Sequence, residues 1–198
     1  MIYEYLEASE IEISEQLATG LLYEIITDTM NLARETSLKD FRAFSRLWLK
    51  ANIPILNTIA RPRLNNEELQ YFVRAIKNRK TIQDMNFIWL ENVNREDIIP
   101  RLADFGLHFG NQLWSVAGGI YEHKIIVSIR NISQEGDAGK LAISLFNEIG
   151  GRGGGHKSAA KAVVDLAKFR AEHNVTRIVE LRSKLTHLFE SKLLTYLD

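Results

Sequence analysis

Apolar residues recur every three or four positions through most of the first 78 residues, a spacing that predicts amphipathic helices. The clearest run follows Ser14, a residue type that favours the N-cap of a helix. A second run spans Leu38 to Lys50, and turn-forming residues around Pro62 precede a further one. We therefore predict that residues 1–78 form a helical segment.

The pattern changes after the polar residues 78–86, which we take as a domain boundary. From there, short apolar runs typical of strands alternate with helical spacing. "FIWLENV" predicts a strand, and "QLWSVAGGIYE" and "KIIVSIRNI" predict a hairpin that turns at Glu122 and His123. "REDIIPRLADFGLHF" and "DAGKLAISLFNEI" predict helices, while "SAAKAVVDL" fits a strand or a helix. Residues 84–198 are therefore predicted to form an α/β domain.

The last stretch, residues 168–198, has the spacing of one long amphipathic helix. The apolar positions along one side of it are Val175, Ile178, Leu185, Leu188 and Phe189. A helix of this kind packs on its own domain or on a second chain. A homodimer is therefore one of the two arrangements that we expect.

Five of the twelve glycines fall within "GGRGGGHKSAA", residues 150–160. The Walker and dinucleotide phosphate loops do not fit, because His156 precedes Lys157 and the preceding element is helical. Two interpretations stay open: a flexible connector that ends the helix, or a backbone that lets a ligand approach closely. Consecutive glycine N–H groups can bind an anion. The second interpretation makes His156 a candidate donor to a phosphate oxygen.

Composition restricts the function classes further. The 198 residues are 45% hydrophobic and 25% charged, as in ordinary globular proteins. The 25 basic and 25 acidic residues cancel, which argues against a strongly basic nucleic-acid binder but leaves room for a local patch. The lack of cysteine excludes disulfides, thiolate metal sites and cysteine nucleophiles. With no apolar run of about 20 residues and no basic signal region, we expect a soluble, cytoplasmic protein.

The glycine-rich "GGRGGGHKSAA" resembles the GGGH-x-x-AA signature of the accessory domain in DHH-type phosphoesterases. "IPRLADFGLHF" and "LWSVAGGIYEHKIIVSIRN" resemble the helix and hairpin of that domain, and "LATGLLYEIITDT" resembles the end of the catalytic domain. The resemblance covers nearly residues 1–165. It implies an α/β fold in which residues 1–78 are the helical C-terminal portion of a DHH catalytic domain. Residues 84–198 would be a small mixed-sheet accessory domain with a helical tail at 168–198.

Members of this family, which includes RecJ-like exonucleases and nanoRNases, hydrolyse phosphate esters with two Mn²⁺ ions that stabilise the attacking and leaving oxygens. The resemblance implies that Asp28 is a metal ligand. It also implies a substrate-phosphate clamp, for which the paired donors of an arginine are well suited. The clamp residues would be Arg130, Gly153, Gly154, Gly155 and His156. The ligand would be a nucleotide or a short single-stranded oligonucleotide.

The family's other metal motifs, a D-x-D pair and the DHH tripeptide among them, do not occur in this sequence. Met30 and Lys161 stand where the family usually has glycine. One aspartate cannot hold two divalent ions, so we expect a truncated enzyme chain that is inactive alone. Two other functions stay open. One is a non-catalytic module that holds a nucleotide or nucleic acid with the same clamp, and the other is a structural dimerisation unit built on residues 168–198.

Overall fold

The computed structural model describes residues 2–33, 36–147 and 149–197, with side chains described as far as Ser191. The chain divides into two compact units, Met1–Leu64 and Asn65–Asp198. The elements of the first unit are α1 (Ile2–Ala8), α2 (Glu15–Asp28), α3 (Leu38–Trp48) and α4 (Ile53–Ala60). This agrees with the helical prediction for the beginning of the chain.

The helices of the first unit begin where their capping residues predict. The Ser14 hydroxyl accepts a hydrogen bond from the N–H of Leu17 at the start of α2. At the start of α3, Ser37 and Asp40 form a reciprocal capping box. The apolar faces of these helices share one core, whose fully buried members include Ala18, Leu22, Ala43, Leu47 and Leu56.

The chain leaves α2 through three successive residues in the left-handed conformation, Met30, Asn31 and Leu32, with φ of 47°, 58° and 65°. The Thr29 hydroxyl supports this turn: it donates to the carbonyl of Ile25 at 2.5 Å and accepts from the N–H of Leu32 at 2.9 Å. A left-handed conformation costs an L-residue about 1–2 kcal/mol. The backbone at Met30 is therefore one that glycine adopts more easily.

The second unit is a mixed sheet covered by helices on both faces. The strands follow the order β1-β2-β3-β4-β6-β5, with β2 parallel to β3 and the other neighbours antiparallel. The strands are β1 (Lys80–Ile82), β2 (Met85–Asn92), β3 (Trp114–Tyr121), β4 (Lys124–Asn131), β5 (Arg152–Gly155) and β6 (Ala159–Asp165). The helices are α5 (Asn66–Asn78), α6 (Ile98–Gly106), α7 (Ala138–Asn147), α8 (Leu166–His173) and α9 (Ile178–Leu197).

Each face of the sheet buries its own apolar core. Helices α5 and α6 cover one face, where Ile88, Leu102 and Ile126 are buried. Helices α7 and α9 cover the other face, where the sheet residues Trp89 and Trp114 are 0% and 1% exposed. Burial of such large side chains is the main favourable term for a sheet of this size. The α/β fold class predicted from the sequence is confirmed.

The hairpin of β3 and β4 is confirmed, and it turns at Glu122, whose φ is 52°. The glycine-rich segment is not a flexible connector throughout, because Arg152–Gly155 is a strand paired with β6. That its backbone lets a ligand approach closely stays a prediction. The single helix predicted over residues 168–198 is wrong. It is interrupted between α8 and α9, where Asn174 caps α8 in the left-handed conformation with φ of 51°.

The division between the two units also differs from the boundary predicted at residues 78–86. Helix α5 packs on β2 and α6, where Tyr71 and Ala75 join the core of the second unit. The boundary between the two units therefore lies between Leu64 and Asn65 in the sequence. Within the described part of the chain, no helix combines the length and hydropathy needed to cross a membrane.

Candidate functional site

An open cleft of about 500 Å³ lies over β4, β6 and β5, on the face of the sheet that carries α6. In the strand register, Ser128 of β4 is opposite Lys161 of β6, which is opposite Gly154 of β5. Arg130 is two residues along β4, opposite Ala159. Because side chains alternate between the faces of a sheet, all of these positions face the cleft.

The most buried charged group of the cleft is Arg130, whose side chain is 14% exposed. Its Nε donates to Oδ1 of Asp104 at 2.6 Å and its Nη2 donates to Oδ2 at 3.3 Å. A third nitrogen, Nη1, donates to the hydroxyl of Ser128 at 2.8 Å. The guanidinium is thus held in one orientation, with a carboxylate in the position where a ligand anion would form the same paired contacts.

Lys161 is the second cation of the cleft, and its ammonium forms an ion pair with Glu96 in the loop before α6. Asp97, which also lines the cleft, is paired differently. The Arg95 guanidinium contacts it at 3.0 and 2.6 Å and holds the pKa of its carboxyl below the usual value, mainly through this hydrogen bond. Each cation of the cleft therefore has its own carboxylate partner.

Gly153 and Gly154 in β5 have different surroundings. A Cβ on Gly153 would lie 2.3 Å from the carbonyl oxygen of Ala142, so only glycine lets α7 pack this closely on the strand. A Cβ on Gly154 would have no described atom within 4 Å, because this residue faces the open cleft. Gly153 thus allows close packing on one face of the sheet, and Gly154 leaves the backbone accessible on the other.

The turn that follows β5 is fixed through its backbone. The His156 N–H donates to the carbonyl of Ala159 at 2.8 Å. The carbonyls of His156 and Lys157 accept from the N–H groups of Gly139 and Ala138 at the start of α7, at 3.0 and 2.8 Å. The His156 side chain is exposed and is outside the described lining of the cleft. Because amides alternate in direction along a strand, those of Gly154 and His156 point towards β6.

Asp28 is the last residue of α2, in the first unit, and its side chain is exposed. It lines a pocket of about 240 Å³ that also includes Glu24 and Asp40. Among the described residues, no three histidine, aspartate or glutamate side chains are grouped so that they would hold a metal ion. The residues described here therefore do not fit the two-metal site that the resemblance implies, and we derive no reaction step through a metal.

The structure brings three of the predicted clamp residues, Arg130, Gly154 and Gly155, to one cleft. Gly153 faces α7, and His156 lies at the adjoining turn. The clamp and the metal-ligand role of Asp28 stay predictions.

The sequence analysis did not assign Asp104, Glu96 or Lys161 to this site. Asp104 and Arg130 are 26 residues apart, and Glu96 and Lys161 are 65 apart. No local sequence pattern predicts ion pairs between residues so far apart in the chain.

The model of the DHHA1 domain matches residues 86–185. This range includes every residue that lines the cleft, from Glu96 to Lys161. The chain belongs to the DHHA1 domain family. The resemblance of its motifs to the DHH superfamily is thereby confirmed, and the cleft lies wholly within the DHHA1 domain.

An uncharacterized protein of Methanocaldococcus jannaschii is 30% identical in an alignment of 198 positions that covers 97% of this chain and 40% of that protein. The solved structure of an exopolyphosphatase-related protein from Bacteroides fragilis has a TM-score of 0.69 at 20% identity. That alignment covers 93% of this chain and 51% of the Bacteroides fragilis protein. The likeness supports a shared fold. The chain spans about half the length of these proteins or less.

Proposed function

We propose that this chain is the substrate-binding part of a DHH-superfamily phosphoesterase that hydrolyses phosphate esters of nucleotides or short single-stranded oligonucleotides. The observation that carries the proposal is the orientation of Arg130 in the cleft of the DHHA1 domain, where its Nε and Nη2 already hold a carboxylate. The family assignment and the exopolyphosphatase-related protein from Bacteroides fragilis support the phosphoesterase class.

A phosphate oxygen pair can replace the carboxylate of Asp104 on the guanidinium, because both anions accept two parallel hydrogen bonds from arginine. Asp104 itself is 45% exposed and can turn towards water when it is displaced. The open space beside Gly154 lets the phosphate approach the backbone. Pro100, which also lines the cleft, offers apolar surface to the sugar or base.

We propose Mn²⁺ as the cofactor of the whole enzyme, with Asp28 as one of its ligands. The described residues do not complete such a site, so we expect this chain alone to bind the ligand without hydrolysing it. The role of the chain is then to hold the phosphate and to orient the ester.

The test is calorimetric titration of a 5′-phosphorylated dinucleotide into the full chain and into its Arg130→Met variant. A hydrogen bond to a charged group contributes about 1.5–3 kcal/mol, so we expect the variant to bind at least about tenfold more weakly. The matched control is Arg177→Met, which removes the same charge from a residue outside the described lining of the cleft. Equal affinity of Arg130→Met and wild type, or no binding to wild type, would contradict the proposal.

A further inference from the structure

We propose that Lys161 is a second anion contact of the cleft, which favours ligands with phosphate groups on two adjacent nucleotides, and that Glu96 neutralises it in the ligand-free protein. This inference rests on the proposed function, since it names the substrate class that the same cleft selects. It concerns a residue that departs from the glycine of the family pattern.

The sheet register sets the spacing of the backbone positions that carry the two cations. Lys161 is opposite Ser128, and Arg130 is two residues further along β4. Such diagonal neighbours on adjacent antiparallel strands have Cα atoms about 7–8 Å apart. That separation is comparable to the span of one sugar between consecutive phosphates of a nucleic-acid strand. Two phosphates of one ligand can therefore contact the two cations together.

The position of Gly154 leaves room for this ligand. Gly154 is directly opposite Lys161 and has no described atom within 4 Å of the place where a Cβ would be. The strand neighbour of Lys161 therefore adds no side chain to the cleft. A phosphate that approaches Lys161 from the cleft meets no side chain at this position of β5.

The contact between Lys161 and Glu96 contributes little to stability. The two side chains are 55% and 41% exposed, and exposed ion pairs of this kind are weak because water screens them and both long side chains lose freedom. The phosphate that links two nucleotides can therefore compete with Glu96 for this lysine. The other carboxylate near the mouth of the cleft, Asp97, is held by Arg95 and does not replace Glu96.

The experiment compares two ligands, a 5′-mononucleotide with one phosphate and a 5′-phosphorylated dinucleotide with two, by calorimetry on the full chain without added metal. We expect wild type to bind the dinucleotide about fivefold more tightly, the size of one exposed ionic contact. In Lys161→Met this preference should disappear while the affinity for the mononucleotide stays unchanged. Glu96→Gln should increase the preference because it frees the ammonium.

The matched control is Lys157→Met, which removes a lysine from the neighbouring exposed turn and should keep the preference for the dinucleotide. Circular dichroism of each variant confirms that the domain is folded. If wild type binds both ligands equally, or if Lys161→Met keeps the preference, the inference is overturned while the proposed function stands. If wild type binds neither ligand, the proposed function fails, and this inference fails with it.

Discussion

Gly153 and Gly154 are neighbours in β5, yet a methyl group added to each should have opposite effects on stability. At Gly153 the new Cβ would lie 2.3 Å from the carbonyl oxygen and 2.6 Å from the carbonyl carbon of Ala142. Both are backbone atoms of α7, so no rotamer change relieves the contact. At Gly154 the methyl group enters the open cleft.

The magnitude follows from the distances. Ordinary van der Waals contacts begin at about 3.4 Å, so β5 and α7 must separate by roughly 1 Å in Gly153→Ala. Overpacking of this kind costs about 1–3 kcal/mol, and the rigid backbone on both sides places this variant near the upper value. Gly154→Ala should change the stability by less than about 1 kcal/mol, and in the stabilising direction, because glycine is unfavourable inside a strand.

Urea unfolding of both variants, followed by tryptophan fluorescence, measures the difference. Trp89 and Trp114 are fully buried in the same unit and report on its sheet. We expect a clearly lower midpoint for Gly153→Ala and a midpoint near that of wild type for Gly154→Ala. Equal midpoints for the two variants, or a greater loss in Gly154→Ala, would refute the packing argument.

Two further predictions concern the backbone at Met30 and the start of α9. Met30→Gly should raise the free energy of unfolding by about 0.5–1 kcal/mol, because glycine adopts the left-handed conformation without strain; Met30→Ala, which keeps a Cβ, is the control and should show no gain in chemical denaturation. The pKa of Glu180 is lowered to about 2, first by the backbone N–H of Arg177, then by the Arg177 side chain and the backbone N–H of Thr176. A lowered folded-state pKa stabilises the protein above the ordinary value of 4.5, and this contribution is lost as the pH falls towards 2. The stability difference between wild type and Glu180→Gln should therefore shrink between about pH 5 and pH 2 in denaturation curves, and a constant difference would exclude this role for the carboxylate.

The elements that the sequence predicted well are those whose signals are local. The hairpin of β3 and β4 has two β-rich runs around a polar turn, and α2 has its N-cap at Ser14. The break at Asn174 also had a local signal, since asparagine tolerates the left-handed conformation that ends α8. It was missed because the apolar spacing continues on both sides of it.

Strand β5 and the partners of the cleft could not be predicted in the same way. Glycine is poor at forming strands by itself, and Arg152–Gly155 is a strand because β6 pairs with it and α7 packs on it. The carboxylates of Asp104 and Glu96 come to Arg130 and Lys161 through the path of α6 across the sheet. Such proximity is a property of the tertiary fold, and the spacing of residue types along the sequence does not predict it.

The backbone hydrogen bonds between the start of α7 and the turn at residues 156–158 restrict how this segment can evolve. A glycine-rich stretch usually tolerates insertions and deletions, since flexible loops lose little when their length changes. Here the carbonyls of His156 and Lys157 are fixed to the N–H groups of Gly139 and Ala138. An added or deleted residue would leave those helix amides without their acceptors and would shift the register of β5 on β6. The number of residues in this turn is therefore constrained more tightly than their identities.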